Sequence, residues 1–133
     1  MTSPIDTRVS LTTASGSGGE FNVNVQTVNS PLALTYVDSP LNSKLTSKAS
    51  TRNSPATVYL HSAFEGSFSV KSSIIGPSLE KRLVEDPAGE GRERRVTSYK
   101  RGGTIQGSVR WVGGSGTGSV EVSTELSPAK LIL

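Results

Sequence analysis

A five-residue unit that returns along the chain constrains it most. Thr27-Val28-Asn29-Ser30-Pro31 recurs as Thr51-Arg52-Asn53-Ser54-Pro55, with looser copies at Ser73-Ile74-Ile75-Gly76-Pro77 and Thr124-Glu125-Leu126-Ser127-Pro128. The starts lie 24, 22 and 51 residues apart, and the last interval is roughly two units long. In each copy a strand is expected to end near the first residue, a tight turn to follow, and the proline to open a new strand. Proline fits there because the first residue of a strand need not donate to the ladder. Repeats of that length point to a β-solenoid or β-helix-like stack of short strands, each coil burying its face on the next.

The hydropathy pattern between these units agrees. Phe21, Val23 and Val25 alternate with Asn22, Asn24 and Gln26, which is the period of a half-buried strand. Leu32, Leu34 and Tyr36 repeat it, as do Val58 with Leu60, Phe68 with Val70, Val109 with Trp111, and Val120 with Val122. Leu131-Ile132-Leu133 reads as a strand covered on both faces, which should pair with the N-terminal strand near residues 5–11 or with another copy. Composition supports an all-β chain: 22 serines and 13 threonines stand beside 14 glycines and 7 prolines, a poor set for helices. Hydrophobic residues make up 33%, so the core must be thin. An antiparallel β-sandwich is the alternative architecture.

The chain of 133 residues is expected to form a single all-β domain, with an N-terminal strand and Gly/Ser loop over residues 1–19. Charge is uneven. Residues 80–101 hold seven of the 14 basic and five of the 11 acidic residues. Residues 77–86 could start a helix at Pro77, but a strand is preferred, joined through a tip at residues 86–91 to 92–101. That reading makes 80–101 a charged hairpin inserted into the repeat and projecting from the core, among the most mobile parts.

Four motifs carry a family resemblance: His61-Ser62-Ala63-Phe64-Glu65-Gly66-Ser67-Phe68, Asp86-Pro87-Ala88-Gly89-Glu90-Gly91-Arg92-Glu93-Arg94, Gly107-Ser108-Val109-Arg110-Trp111, and Gly118-Ser119-Val120-Glu121-Val122-Ser123-Thr124. In order and spacing, the stretch from Ser54 to Leu133 resembles an uncharacterised domain family of fungal, chiefly basidiomycete, proteins. The Thr-x-Asn-Ser-Pro units also resemble bacterial putative-adhesin domains, which are β-helix-like. The resemblance implies a fold and a taxonomic source, and no catalytic residues.

No constellation for catalysis stands out. His61 is the sole histidine, with Glu65 four residues on, but it follows a strand end and reads as a turn residue. No Gly-x-Ser-x-Gly elbow links a strand to a helix. Residues 113–118 are glycine-rich, yet a strand pattern follows them where a phosphate loop needs a helix start. Cysteine is absent, which excludes disulfides and thiolate metal sites, and one histidine excludes a multi-histidine site within the chain. No metal site and no cofactor is expected, and no apolar run is long enough to span a membrane.

Binding is the expected role. Arg92, Arg94, Arg95, Lys100 and Arg101 form one basic segment around Tyr99, and Arg110 and Trp111 follow. Candidate binding residues are therefore Trp111, Tyr99, Arg92, Arg94, Arg95 and Arg110. Trp111 offers a sugar-stacking ring or, equally, a packing group. The interleaved carboxylates argue against nucleic acid and for a solvated edge that discourages pairing. The expected function is a non-enzymatic, adhesin-like binding module for a carbohydrate or a protein. The alternative is a structural protein that forms homo-oligomers or fibres through its sheet edges. No secretory leader is visible, so an intracellular site is the default expectation.

Overall fold

The computed structural model describes residues 5–12, 19–39, 44–73, 77–81, 86, 89–113 and 118–133. Among the described residues there are eleven strands: β1 Ile5–Ser10, β2 Glu20–Gln26, β3 Leu32–Asp38, β4 Lys44–Ser50, β5 Ala56–Tyr59, β6 Gly66–Ser72, β7 Pro77–Glu80, β8 Arg94–Arg101, β9 Thr104–Trp111, β10 Gly118–Thr124 and β11 Ala129–Ile132. They make two sheets, in the orders β1-β3-β5-β11-β7 and β2-β4-β10-β6-β9-β8. The chain is all-β. Every pair in the first sheet is parallel, and the second is parallel from β2 to β6. Only β6-β9-β8 is antiparallel, so an antiparallel sandwich does not describe the fold.

From β1 to β7 successive strands alternate between the sheets. The recurring five-residue unit marks the crossing: residues 27–31 join β2 to β3, 51–55 join β4 to β5, and 124–128 join β10 to β11. The crossings stack on one another. Thr27 N–H donates to the Ser50 carbonyl (2.9 Å), Thr51 N–H to Ser123 (3.0 Å), Asn53 N–H to Val28 (2.8 Å) and Leu126 N–H to Arg52 (2.9 Å). The first residue of each unit closes its own turn, because the Thr27 hydroxyl donates to the Ser30 carbonyl (2.7 Å). Thr51 and Thr124 do the same to Ser54 and Ser127. Each proline offers its carbonyl to the neighbouring strand of the first sheet: Pro31 to Ile5 N–H, Pro55 to Leu32 N–H, Pro128 to Ala56 N–H. Equivalent side chains meet as well, Asn53 Nδ2 on Asn29 Oδ1 (2.7 Å) and Arg52 with Glu125 (3.2 Å).

Strand order departs from chain order at one place. The last unit, β10–β11, lies between β4–β5 and β6–β7, with β10 flanked by β4 and β6 and β11 by β5 and β7. The 51-residue interval is therefore not two further copies of the repeat unit. It holds β7, then the β8–β9 hairpin that extends the second sheet, then a return of the chain into the gap. This placement also buries Leu131, Ile132 and Leu133. Their partners are β5 and β7, and not the N-terminal strand.

The charged segment is also rearranged. Among the described residues, Glu80 ends β7 in the first sheet, while β8 pairs along its whole length with β9 in the second. The hairpin seen among the described residues is thus β8–β9, turning at Gly102-Gly103, and no ladder joins β7 to β8 there. The expected Gly/Ser loop at 15–18, the packing of Leu83 and Val84, the Pro87-Ala88 tip and loop residues 114–117 lie outside the described residues.

Inward positions of the two sheets form one apolar cluster. Leu34, Val58 and Leu131 contribute from the first sheet, and Ala49, Phe68, Val70, Val109, Val120 and Val122 from the second. The Tyr36 hydroxyl crosses this layer to hydrogen-bond Ser47 Oγ on the facing sheet.

Candidate binding surface

Because strand side chains alternate, every residue that sends a neighbour into the core presents itself on the outer face. The register of the second sheet lines these outer residues into rows. One row runs Asn22, Thr46, Ser119, Ser67, Ser108, Thr97. The next runs Asn24, Lys48, Glu121, Ser69, Gln106, Tyr99, and a third Gln26, Ser50, Ser123, Lys71, Thr104, Arg101. Neighbours within a row stand about 4.8 Å apart, the spacing of hydrogen-bonded strands. The face is therefore a grid of short polar side chains with cations among them.

Two depressions cross it. One of about 650 Å³ is lined by Ser67, Ser69, Lys71, Tyr99, Gln106 and Glu121 among others. The second, of about 680 Å³, runs past Lys48, Arg52 and Ser123 to the turn at Val28. They share Lys71 and Glu121, so together they make one long shallow trough. Tyr99 stands at one end with 61% of its surface exposed, its hydroxyl donating to Gln106 Oε1 (2.6 Å). Thr97 and Ser108 hydroxyls are hydrogen-bonded at 3.0 Å. The Ser69 hydroxyl is enclosed and has no hydrogen-bond partner among the described residues. Lys48, Arg52 and Lys71 line the trough against Glu121 and Glu125, Arg52 being paired with Glu125, and Arg101 lines an adjoining depression with Lys71, Tyr99 and Gln106, which leaves this face net positive.

The six residues singled out from sequence divide between the two faces of the hairpin. Tyr99, Arg95 and Arg110 are exposed on the outer face, Arg95 and Arg110 as cross-strand neighbours. Trp111 is 2% exposed and unavailable to a ligand. Its main-chain N–H donates to the buried Glu65 carboxylate (2.7 Å), its indole N–H to the Ser62 carbonyl (2.7 Å), and the Arg92 guanidinium stands 5.8 Å from its ring centre. Arg92 is held by Asp86 through Nε (3.0 Å) and a terminal nitrogen (2.9 Å), and that carboxylate raises the guanidinium above its usual pKa. Arg94 pairs with Trp111 in register and is half-buried on the inner side. Trp111 and Arg92 thus belong to a structural clamp between the end of the hairpin and the 61–66 turn, and Arg94 lies beside it in the ladder.

His61 and Glu65 are each engaged by a different backbone N–H. His61 Nδ1 accepts the Ala63 N–H (3.0 Å), closing its turn, while Glu65 serves Trp111. Among the described residues no group of three or more His, Cys, Asp or Glu could hold a metal ion, and no helix is long and apolar enough to cross a membrane.

Sequence reasoning missed Ser67, Ser69, Lys71, Gln106, Ser119 and Glu121. Each is an ordinary polar residue of an alternating strand, and only the register brings them together. No family model, curated protein or solved structure matches the chain.

Proposed function

We propose that this protein is a non-catalytic, adhesin-like binding module whose ligand is an acidic polysaccharide lying along the trough of the second sheet. The supporting architecture is read as a two-sheet β-solenoid-like stack, closed at one end by the β8–β9 hairpin. One observation carries the reading: the exposed Tyr99 ring ends a trough whose floor holds a Ser69 hydroxyl with no partner among the described residues and which, with the adjoining depression at Arg101, is bordered by four cations against two carboxylates. A sugar presents an apolar C–H face that an aromatic ring can cover, and hydroxyls that Ser69, Gln106 and Ser108 can pair with. Carboxylates or sulfates along the polymer would meet Lys71, Arg101 and Lys48. The trough's length favours a chain over a single sugar. An open site of this kind encloses no reacting centre, in keeping with a binding role.

Isothermal titration with oligogalacturonate, a neutral cello-oligosaccharide and a single-stranded oligonucleotide tests this. The uronate should bind, the neutral glycan more weakly, and added salt should weaken the uronate complex by screening. Tyr99→Ala should lower uronate affinity about fivefold, the loss of one stacking contact of roughly 1 kcal/mol, with the melting temperature unchanged. Unchanged affinity in Tyr99→Ala, stronger binding of the oligonucleotide, or no binding of any glycan would overturn the proposal.

A further inference from the structure

The end of the molecule opposite the charged hairpin has a stepped shape. Among the described residues β1 pairs with β3 alone and β2 with β4 alone, so both present an open ladder edge. The 27–31 turn places β2 and β3 in one coil, and β1 lies one strand beyond β3. The first sheet therefore protrudes by one strand and the second is recessed by one. Inward residues at this step, Ile5, Val9, Phe21, Val23 and Val25, pack against the core cluster but are only partly buried. One coil deeper, Leu45 and Ala49 are fully covered. The far edge differs: β8 carries Arg95, Lys100 and Arg101, all exposed, which discourages further pairing.

We propose that the step is an interface for a second copy of this chain. A two-fold axis parallel to the strands and midway between the sheets makes the first sheet of one copy continue the second sheet of the other. The protruding β1 then fills the recess beside the partner's β2, and the same contact repeats across the axis, as an isologous dimer requires. The five-residue turns reverse the chain between the sheets, so β1 and β2 run oppositely. The rotation preserves strand direction, and the new β1–β2 pair is antiparallel.

One register aligns all six β1 residues with residues 20–25 of the other copy. Inward, Ile5 faces Val25, Thr7 faces Val23 and Val9 faces Phe21, which completes the uncovered apolar layer. Outward, Asp6 faces Asn24, and Arg8 faces Asn22 with Glu20 on its diagonal, within reach of a long side chain. Strand edges, apolar residues and charge are all satisfied by this one arrangement.

Sedimentation of the full chain should show a dimer. Arg8→Glu, at an exposed outward position, should shift the dimer towards monomer by placing like charges together, and Arg8→Glu with Glu20→Arg should restore it. The chain has no cysteine, so Thr7→Cys with Val23→Cys should give a covalent dimer on oxidation. Tyr99→Ala should leave the dimer intact, which separates this inference from the glycan reading. Monomer at every concentration, a dimer indifferent to Arg8→Glu, or no cross-link between positions 7 and 23 would overturn it.

Discussion

Trp111 donates its main-chain N–H to the carboxylate of Glu65, 46 residues earlier, at 2.7 Å, and both residues are buried. This bond ties the end of β9 to the turn that opens β6. It also explains why the single tryptophan is unavailable to a ligand. Replacing Glu65 by Ala leaves the Trp111 N–H enclosed without its acceptor and should lower stability by about 2 kcal/mol. Glu65→Gln keeps an acceptor and should lose less. Thermal melting gives the order, and a red-shifted Trp111 emission in Glu65→Ala would accompany it.

The stacked turns make a second expectation. Thr51 is 5% exposed and donates to the Ser54 carbonyl inside its own turn. Thr51→Val keeps the shape and removes the donor, leaving a buried carbonyl unpaired at about 1–2 kcal/mol. Thr51→Ser should recover most of the loss in urea unfolding. Equal loss in both variants would assign the effect to the methyl group.

These two sites show where sequence was sufficient and where it was not. Thr51 and its equivalents are legible because a local turn needs its own residues in a fixed order, and the unit recurs. Val120, Val122, Phe68 and Val70 are legible as inward residues because burial on one face imposes period two. The place of β10 between β4 and β6 is not written locally, because parallel pairing joins strands distant in sequence through backbone groups that every residue carries. The same gap hid the trough: Ser69 and Gln106 become neighbours only through register. Trp111 and Tyr99 lie in neighbouring strands with the same alternation. Which faces inward depends on the pairing of β8 with β9, which placed Tyr99 outside and Trp111 within.

Tyr36 sets a pH dependence. Burial raises its pKa above the usual 10.0, and the Ser47 hydrogen bond offsets this in part. The unfolded chain therefore loses this proton first. Stability from Tyr36 is complete below pH 10 and is lost as pH rises from there through the folded-state pKa, at up to about 1.4 kcal/mol per pH unit. Urea midpoints between pH 9 and 11.5 should fall more steeply for the natural chain than for Tyr36→Phe. Parallel curves would show that Tyr36 ionises equally in both states.

Gly118 opens β10 in register with Gly66 of β6. A Cβ at Gly118 would stand 2.8 Å from the Glu65 carbonyl and 2.8 Å from the Phe64 ring, closer than packing allows. Gly118→Ala should destabilise the chain by about 1–3 kcal/mol through this overpacking. The melting temperature should fall, and it should stay near that of the natural chain in a control such as Ser119→Ala on the exposed face.

The claim that the outer face of the second sheet is the binding surface is tested most directly by amide chemical-shift mapping during titration with oligogalacturonate. The account expects the shifted amides to cluster at Ser67, Ser69, Lys71, Tyr99, Gln106 and Glu121. Shifts confined to the outer face of the first sheet, around Thr35, Thr57 and Lys130, or no shifts at saturating glycan, would contradict it.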